Sequence, residues 1–322
     1  MKLGVLTNLL GGLPAEQAFK YLAESGVQAV EIGCGGYPGK DHCKPEELLK
    51  DDAKIAEFKA MIEGYGLTIS ALSCHGNPVH PQKDIAEAFD KDFRNAILLA
   101  EKLGVDRIVG FSGCPGDCPT SQYPNWVTCA WPDDYLKILD YQWNEVLIPY
   151  WKNMVKFAKE HGINKIAFEM HPGFAVYNPE TLMKMRAAVG DVIGANFDPS
   201  HLIWQGIEPV AAIRYLQGAI YHFHAKDTKI DKINTAKIGV LDCKHYGDEL
   251  NRAWVFRACG YGNDATYWKD IVSALRLTGY DKVMSIEHED SLMSIDEGLQ
   301  KAVDFLKPIL MYDPKPSGMA WA

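Results

Sequence analysis

The chain has 322 residues, 47% of them hydrophobic and 23% charged, enough to bury a large core without a disulfide framework. Its net charge of −9 argues against a nucleic-acid backbone or an anionic membrane surface as the main partner and leaves small-molecule chemistry. No apolar run nears the ~20 residues that span a bilayer, and Met1–Val5 enters a strand without a signal-like segment, so a cytoplasmic protein is expected.

One unit recurs along the chain: a short β-branched run, a polar loop at its C-terminal end, then an amphipathic helix stopped by Gly. Strands are expected at Lys2–Thr7, Val27–Ile32, Leu67–Ser73 and Arg107–Phe111, with helices Pro14–Ser25, Pro45–Tyr65 and Ile85–Leu103 between them. A Gly/Pro/aromatic loop, Ser112–Pro132, carries Trp126 and Trp131 and precedes a helix over Asp134–Glu160, kinked near Pro149. Within this loop Cys114, Cys118 and Cys129 follow C-x3-C-x10-C with no fourth ligand, so reduced thiols are expected rather than a zinc site.

The second half continues with strands Lys165–Met170, Val192–Asp198, Ala219–His224 and Lys282–Glu287, and helices near Pro179–Val189, Pro209–Leu216, Thr266–Thr278 and Ile295–Leu306. Eight strands alternating with helices, in one composition regime, predict a single-domain (β/α)8 TIM barrel over residues 1–310. The alternative, an open doubly wound sheet, lacks a Gly-rich phosphate fingerprint after its first strand, since Asn8–Leu13 does not supply one. Thr228–Asp264 is too long for an ordinary connection and reads as a lid or interface, with a C-terminal tail at 311–322.

Active sites of α/β barrels sit where the strands end. Four successive strands end in Phe168-Glu169-Met170-His171, Asp198-Pro199-Ser200-His201, His222-Phe223-His224-Ala225-Lys226-Asp227 and Ile286-Glu287-His288-Glu289. Strand alternation puts His222, His224 and Lys226 on one face. The plain reading is that each acid caps the following helix and the histidines are core residues. Three carboxylates and one imidazole converging on one axis, however, cannot all stay charged without a compensating cation. Glu169, Asp198, His224 and Glu287 therefore predict one divalent metal, Mn²⁺ foremost, with Mg²⁺, Co²⁺ or Zn²⁺ also suited to an O3N donor set. His75 after the third strand, Lys226 and Trp126 are candidate substrate contacts: a base, a cation for sugar oxygens or an enolate, and an aromatic face.

These four segments resemble the xylose-isomerase-like TIM-barrel superfamily, in its sugar phosphate isomerase/epimerase branch. The resemblance implies that Glu169, Asp198, His224 and Glu287 bind the metal and that Glu169 and Glu287 move protons on and off carbon. It implies that His201 holds substrate or solvent beside the metal. Where ketohexose 3-epimerases of the superfamily carry an acid and an arginine, this chain has Ala175 and Ile230. The expected activity is sugar isomerisation or epimerisation by proton abstraction next to a carbonyl. The alternative is a lyase or deglycosidase that cleaves 3-oxo-glycosides by deprotonation and elimination. An abasic-site endonuclease or a non-catalytic binding barrel ranks below both. The expected partners are a small sugar or glycoside, no nucleic acid or membrane, and other subunits in a homo-oligomer or a partner subunit.

Overall fold

A computed structural model describes residues 1–319; the last three positions of the expected tail, Ala320–Ala322, lie outside the described residues. Among the described residues ten strands form: β1 (Lys2–Leu6), β2 (Ala29–Gly33), β3 (Thr68–Ser73), β4 (Arg107–Gly110), β5 (Lys165–Glu169), β6 (Ile193–Phe197), β7 (Ile220–Ala225), β8 (Asp227–Ile230), β9 (Trp254–Arg257) and β10 (Val283–Ile286). Eight of them close a parallel barrel in the order β1-β10-β7-β6-β5-β4-β3-β2, the TIM-barrel arrangement that the strand–helix alternation predicts. β1 closes the ring on β10, with Lys2 opposite Val283 and Val5 opposite Ile286. β8 and β9 stand outside it as an antiparallel pair, β8 starting at Asp227, one residue before the expected 228–264 insertion.

The core lies mainly between the barrel's outer face and the helices. Phe168, Phe197 and Phe223 point outward and are fully buried, Phe197 stacking on Phe223 at 5.7 Å. Their sequence neighbours Glu169, Asn196, His222 and His224 are buried on the other face, so the interior is polar where many barrels fill it with aliphatic layers. That inversion is expensive unless each polar atom is partnered, and nearly all of them are.

Two helices depart from the sequence expectation. The second is split into Pro45–Leu48 and Asp52–Gly64, because the Asp51 side chain accepts from the Ala53 N–H at 3.0 Å and starts a new helix. In the fourth, the residues before Pro149 widen into a π-helical stretch, Tyr141–Leu147, between helices Asp134–Asp140 and Ile148–Glu160. Proline has no N–H to give the preceding turn, and the wider turn accommodates the lost bond. All eight cysteines are free thiols. No helix among the described residues is long and apolar enough to cross a membrane.

Candidate metal centre

The barrel order makes β5, β6, β7 and β10 consecutive neighbours, with Glu169 opposite Asn196 and His224 opposite Ser285. Asp198 and Glu287 follow the last residues of β6 and β10. One donor atom from each of Glu169, Asp198, His224 and Glu287 then lies within 4.8 Å of the others. His224 Nδ1 is 3.1 Å from both Glu169 Oε2 and Glu287 Oε2. Yet His224 Nδ1 is buried without a hydrogen-bond partner of acceptable geometry among the described residues, and Asp198 Oδ2 and Glu287 Oε2 face the Lys226 ammonium rather than one another. Buried polar atoms that converge yet fail to bond one another suit a shared cation, and an oxygen-rich set with one imidazole suits a hard or borderline divalent ion. The residues fit such a metal.

The electrostatics carry the same strain. Burial, reinforced by Glu169 and Glu287 and opposed by Lys226, pushes the Asp198 carboxyl up to about 7. Burial also opposes charge on Glu287, but the Lys226 ammonium and His224 hold it below the usual carboxylate range. Glu169 overcomes the same burial through the close approach of His201, His224 and His75 and is also held low. Lys226 is the largest local cation: its Nζ lies 3.1 Å from Asp198, 2.8 Å from Glu287 and 3.0 Å from Glu289. Burial disfavours its charge, but these carboxylates outweigh burial and raise its pKa well above the ordinary value.

Lys226 does not pair with Asp227, its neighbour. Asp227 accepts from the backbone N–H groups of Gly260, Gly262 and Asn263 and from Trp268 Nε1, and so ties down the end of the insertion.

The surrounding residues orient the donors. Glu31 on β2 receives His224 Nε2 at 3.0 and 2.9 Å and the Ser285 hydroxyl at 2.8 Å. Burial disfavours charge on His224, but Glu31 and Glu287 outweigh it and raise its pKa well above the ordinary value; an acceptor on Nε2 keeps one ring proton there, so a metal would displace only the proton on Nδ1 and take that lone pair. Burial would raise the Glu31 carboxyl, but His224 and His222 outweigh it and hold the group at about 2. His75 Nε2 reaches Glu169 at 3.0 Å while its Nδ1 meets Ser73 Oγ at 3.0 Å. His201 Nε2 is 3.0 Å from Glu169 Oε1 and 3.4 Å from Asp198 Oδ2. Burial, then His171 and Lys226, keep the His201 imidazole well below its ordinary pKa. His222 lies deeper, against Asn196 Oδ1 at 3.0 Å.

Above the centre opens a cavity of about 140 Å³ lined by Tyr37, His75, Phe111, Glu169, Lys226 and Glu287, among others. Tyr37 is held at its rim because its N–H bonds the His75 carbonyl at 2.8 Å. The preceding Gly36 has φ +64° and lies so close that a Cβ would sit 1.7 Å from that carbonyl oxygen, so only glycine fits. The insertion supplies Phe256, whose ring packs against His201 at 5.2 Å and beneath the Lys226 ammonium at 4.8 Å.

The structure thus gathers Glu169, Asp198, His224, Glu287, His201, His75 and Lys226 in one place. It leaves out Trp126. That indole packs on Tyr177 at 5.5 Å and lines two other cavities, one of about 170 Å³ shared with Trp204. Trp204 itself stacks on Trp254 at 4.6 Å, within the insertion's own apolar cluster. Sequence reasoning passed over Glu31 and Glu289 as site residues. Glu289 carried a weak signal, as it lies two residues beyond Glu287 at the same strand end.

A cluster of metal-type donors, Glu169, Asp198, His224 and Glu287, gathers at the C-terminal mouth of an eight-stranded parallel barrel. The chain belongs to the xylose isomerase-like TIM barrel family, whose model matches residues 19–309. It is 40% identical over 309 residues to the uncharacterized protein YfiH of Bacillus subtilis (strain 168), covering 95% of this chain and 98% of that one. It is 24% identical over 313 residues to an inosose dehydratase of Mesomycoplasma hyopneumoniae, covering 95% and 92%. Among solved structures it shares the fold of a D-tagatose 3-epimerase-like protein, with a TM-score of 0.63 and 21% identity over 96% of this chain and 98% of the other.

Proposed function

We propose that the protein is a sugar-modifying enzyme that removes a carbon-bound proton next to the carbonyl of a small polyhydroxy ketone and isomerises or epimerises it. The observation that carries this reading is the convergence within 4.8 Å of one donor atom from each of Glu169, Asp198, His224 and Glu287, with His224 Nδ1 facing two carboxylate oxygens at 3.1 Å. A divalent cation, Mn²⁺ foremost, held there would act as a Lewis acid that polarises a carbonyl and favours negative charge on its oxygen.

The rest falls to the chain's own residues. Glu169 and Glu287 both line the cavity, and both are held ionised at neutral pH, so each is ready to accept a proton. As one carboxylate takes the proton, the C–H electron pair moves into the bond toward the carbonyl carbon and gives an enediolate. Return of a proton from the other carboxylate to the opposite face inverts the centre; return to the neighbouring carbon isomerises. His75 and His201 hold Glu169 on two sides, which limits its swing during transfer. The Lys226 ammonium is placed to neutralise negative charge on a substrate oxygen. A chamber of about 140 Å³ lies below the ~300 Å³ at which drug-sized pockets begin, which favours a compact sugar over a bulky glycoside. Ala175 and Ile230 further disfavour free ketohexose 3-epimerisation.

A second reading, elimination, is favoured by Lys226. An ammonium 2.8 Å from Glu287 stands beside the base, and once a bound metal took up the carboxylates' charge it would be freed to hand a proton to a departing hydroxyl, as a dehydratase requires. The two readings separate by product. The Mn²⁺-loaded protein is incubated in D₂O with free ketoses, inososes and 3-oxo-glycosides and followed by proton NMR. Deuterium in recovered ketone together with an epimer or isomer supports the first reading. An unsaturated product or a released aglycone supports the second. Glu169→Gln and Glu287→Gln should each cut turnover by at least ~10²-fold while leaving the melting curve in place. Near-wild-type turnover in either variant would end the two-carboxylate scheme.

A further inference from the structure

At the opposite end of the barrel, remote from the metal centre, lies a cavity of about 440 Å³. Its wall is made by the strand beginnings: Lys2 on β1, Thr68 and Ser70 on β3, Arg107 on β4, and Lys282 with Val283 at β10, closed on one side by Tyr312 and Pro314 of the tail. In a chain of net charge −9 this cavity is a local positive region. Four cations line it, the Met1 amine, Lys2, Arg107 and Lys282, against two carboxylates, Asp106 and Asp281.

Both carboxylates are already engaged. Asp281 bonds the Met1 amine at 2.7 Å and Arg276 at 2.5 Å, and Asp106 bonds Arg107 at 2.6 Å and Lys165 at 2.5 Å. Among the described residues, neither the Lys2 nor the Lys282 ammonium has a carboxylate within 4.0 Å; Lys2 reaches only the Thr68 hydroxyl, at 3.2 Å. Burial, together with Arg107 and Lys165, lowers the Lys282 pKa, as crowding of like charge does. The Thr68 and Ser70 hydroxyls give their protons to the Gln28 and Val30 carbonyls, at 3.3 and 3.1 Å, so the donors to spare on this wall are those of the two ammoniums.

We propose that this cavity is a binding site for a small multivalent anion bearing phosphate or carboxylate oxygens, held by Lys2 and Lys282 with help from Arg107. Such a ligand supplies the negative charge that the cavity lacks and accepts charge-assisted hydrogen bonds from both ammoniums. Its position at the strand N-termini separates it from the substrate chamber, so the site is suited to stabilising the barrel or modulating it from below. Ser70 in its wall is 3.3 Å from His222 Nε2, which brings the cavity's floor against the polar barrel interior.

The test is calorimetric titration of the full-length protein with inorganic phosphate and, separately, succinate, at low ionic strength. Saturable binding of phosphate, succinate or both is expected, and the preference between them names the oxygen chemistry. Lys2→Ala and Lys282→Ala should each weaken binding about tenfold, the loss of one charge-assisted hydrogen bond, and the double variant should abolish it. Glu169→Gln, at the other end of the barrel, should leave the affinity unchanged. Absence of saturable binding, an unaltered affinity in the double variant, or a loss confined to Glu169→Gln would each overturn the assignment. None of these outcomes depends on the chemistry proposed for the metal centre.

Discussion

Glu31 offers the sharpest test of how the barrel would prepare the proposed metal site. The residue is fully buried and sits on β2, across the barrel from β7, with both oxygens within 3.0 Å of His224 Nε2. Glu31→Ala removes the acceptor and strands a buried imidazole N–H, at about 1–3 kcal/mol for the unsatisfied donor. The imidazole can recover by moving its proton to Nδ1, but that consumes the lone pair offered to the metal. The expected result is therefore weaker metal binding, by ~10- to 100-fold, the range typical when a ligand histidine loses its supporting carboxylate. Glu31→Gln keeps one acceptor oxygen and should lose about tenfold or less. Ser285→Ala, which removes only the 2.8 Å bond to Glu31, should lose least. The assay is titration of metal-stripped protein with Mn²⁺ by calorimetry, with thermal melts to verify folding. If Glu31→Ala binds Mn²⁺ within twofold of wild type, the ring is not being held by Glu31 and the reasoning fails.

Further expectations concern the same barrel. Lys226 is 2% exposed and touches three carboxylates, so Lys226→Met in metal-free protein leaves buried charge uncompensated and should cost about 3–5 kcal/mol. Melting in EDTA should show the loss, and Mn²⁺ should raise the variant's melting temperature more than that of wild type; equal melting temperatures in EDTA would contradict this. Asp106 sits below its ordinary 3.8, at about 2, because Arg107 and Lys165 outweigh burial. A depressed folded-state pKa adds stability above pH ~4 that is lost as pH falls toward 2. With the group about half exposed, screening limits that to under about 1 kcal/mol, and Asp106→Asn should flatten the acid limb of a melt series by that amount. Trp126→Ala should leave kcat/KM for a small sugar within about threefold, since the indole lines other cavities than the one above the metal centre; a loss beyond tenfold would place Trp126 back at the substrate.

Much of this was legible in the chain because a strand's period is two. Glu169, Asp198, His224 and Glu287 each end an apolar run, and a parallel barrel brings successive strand ends to one mouth. The alternation in His222-Phe223-His224 announced one ring pair inward and one outward, and Phe223 is indeed buried on the outer face. The fold class followed from eight strand–helix repeats, and the break at Asp51 was missed because a local cap competes with an otherwise continuous helical pattern.

Other features depend on distance in sequence. Glu31 meets His224 across 193 positions, a contact that exists only because the sheet closes and β2 faces β7 across the axis. Lys226 follows Ala225 and precedes Asp227, and nothing local says which acid it prefers. The barrel decides by turning Asp227 outward to the insertion's N–H groups and Lys226 inward to Asp198 and Glu287. Trp126 carried the right chemistry for a sugar face, but a long loop without regular structure leaves its landing place to tertiary packing, and it settles on Tyr177. The sequence by itself determined which donors the mouth of the barrel would hold, because side-chain direction is set residue by residue along a strand. Only the closed barrel decided which of them would be oriented, neutralised or left with a free lone pair, because those contacts join strands that are distant in the chain.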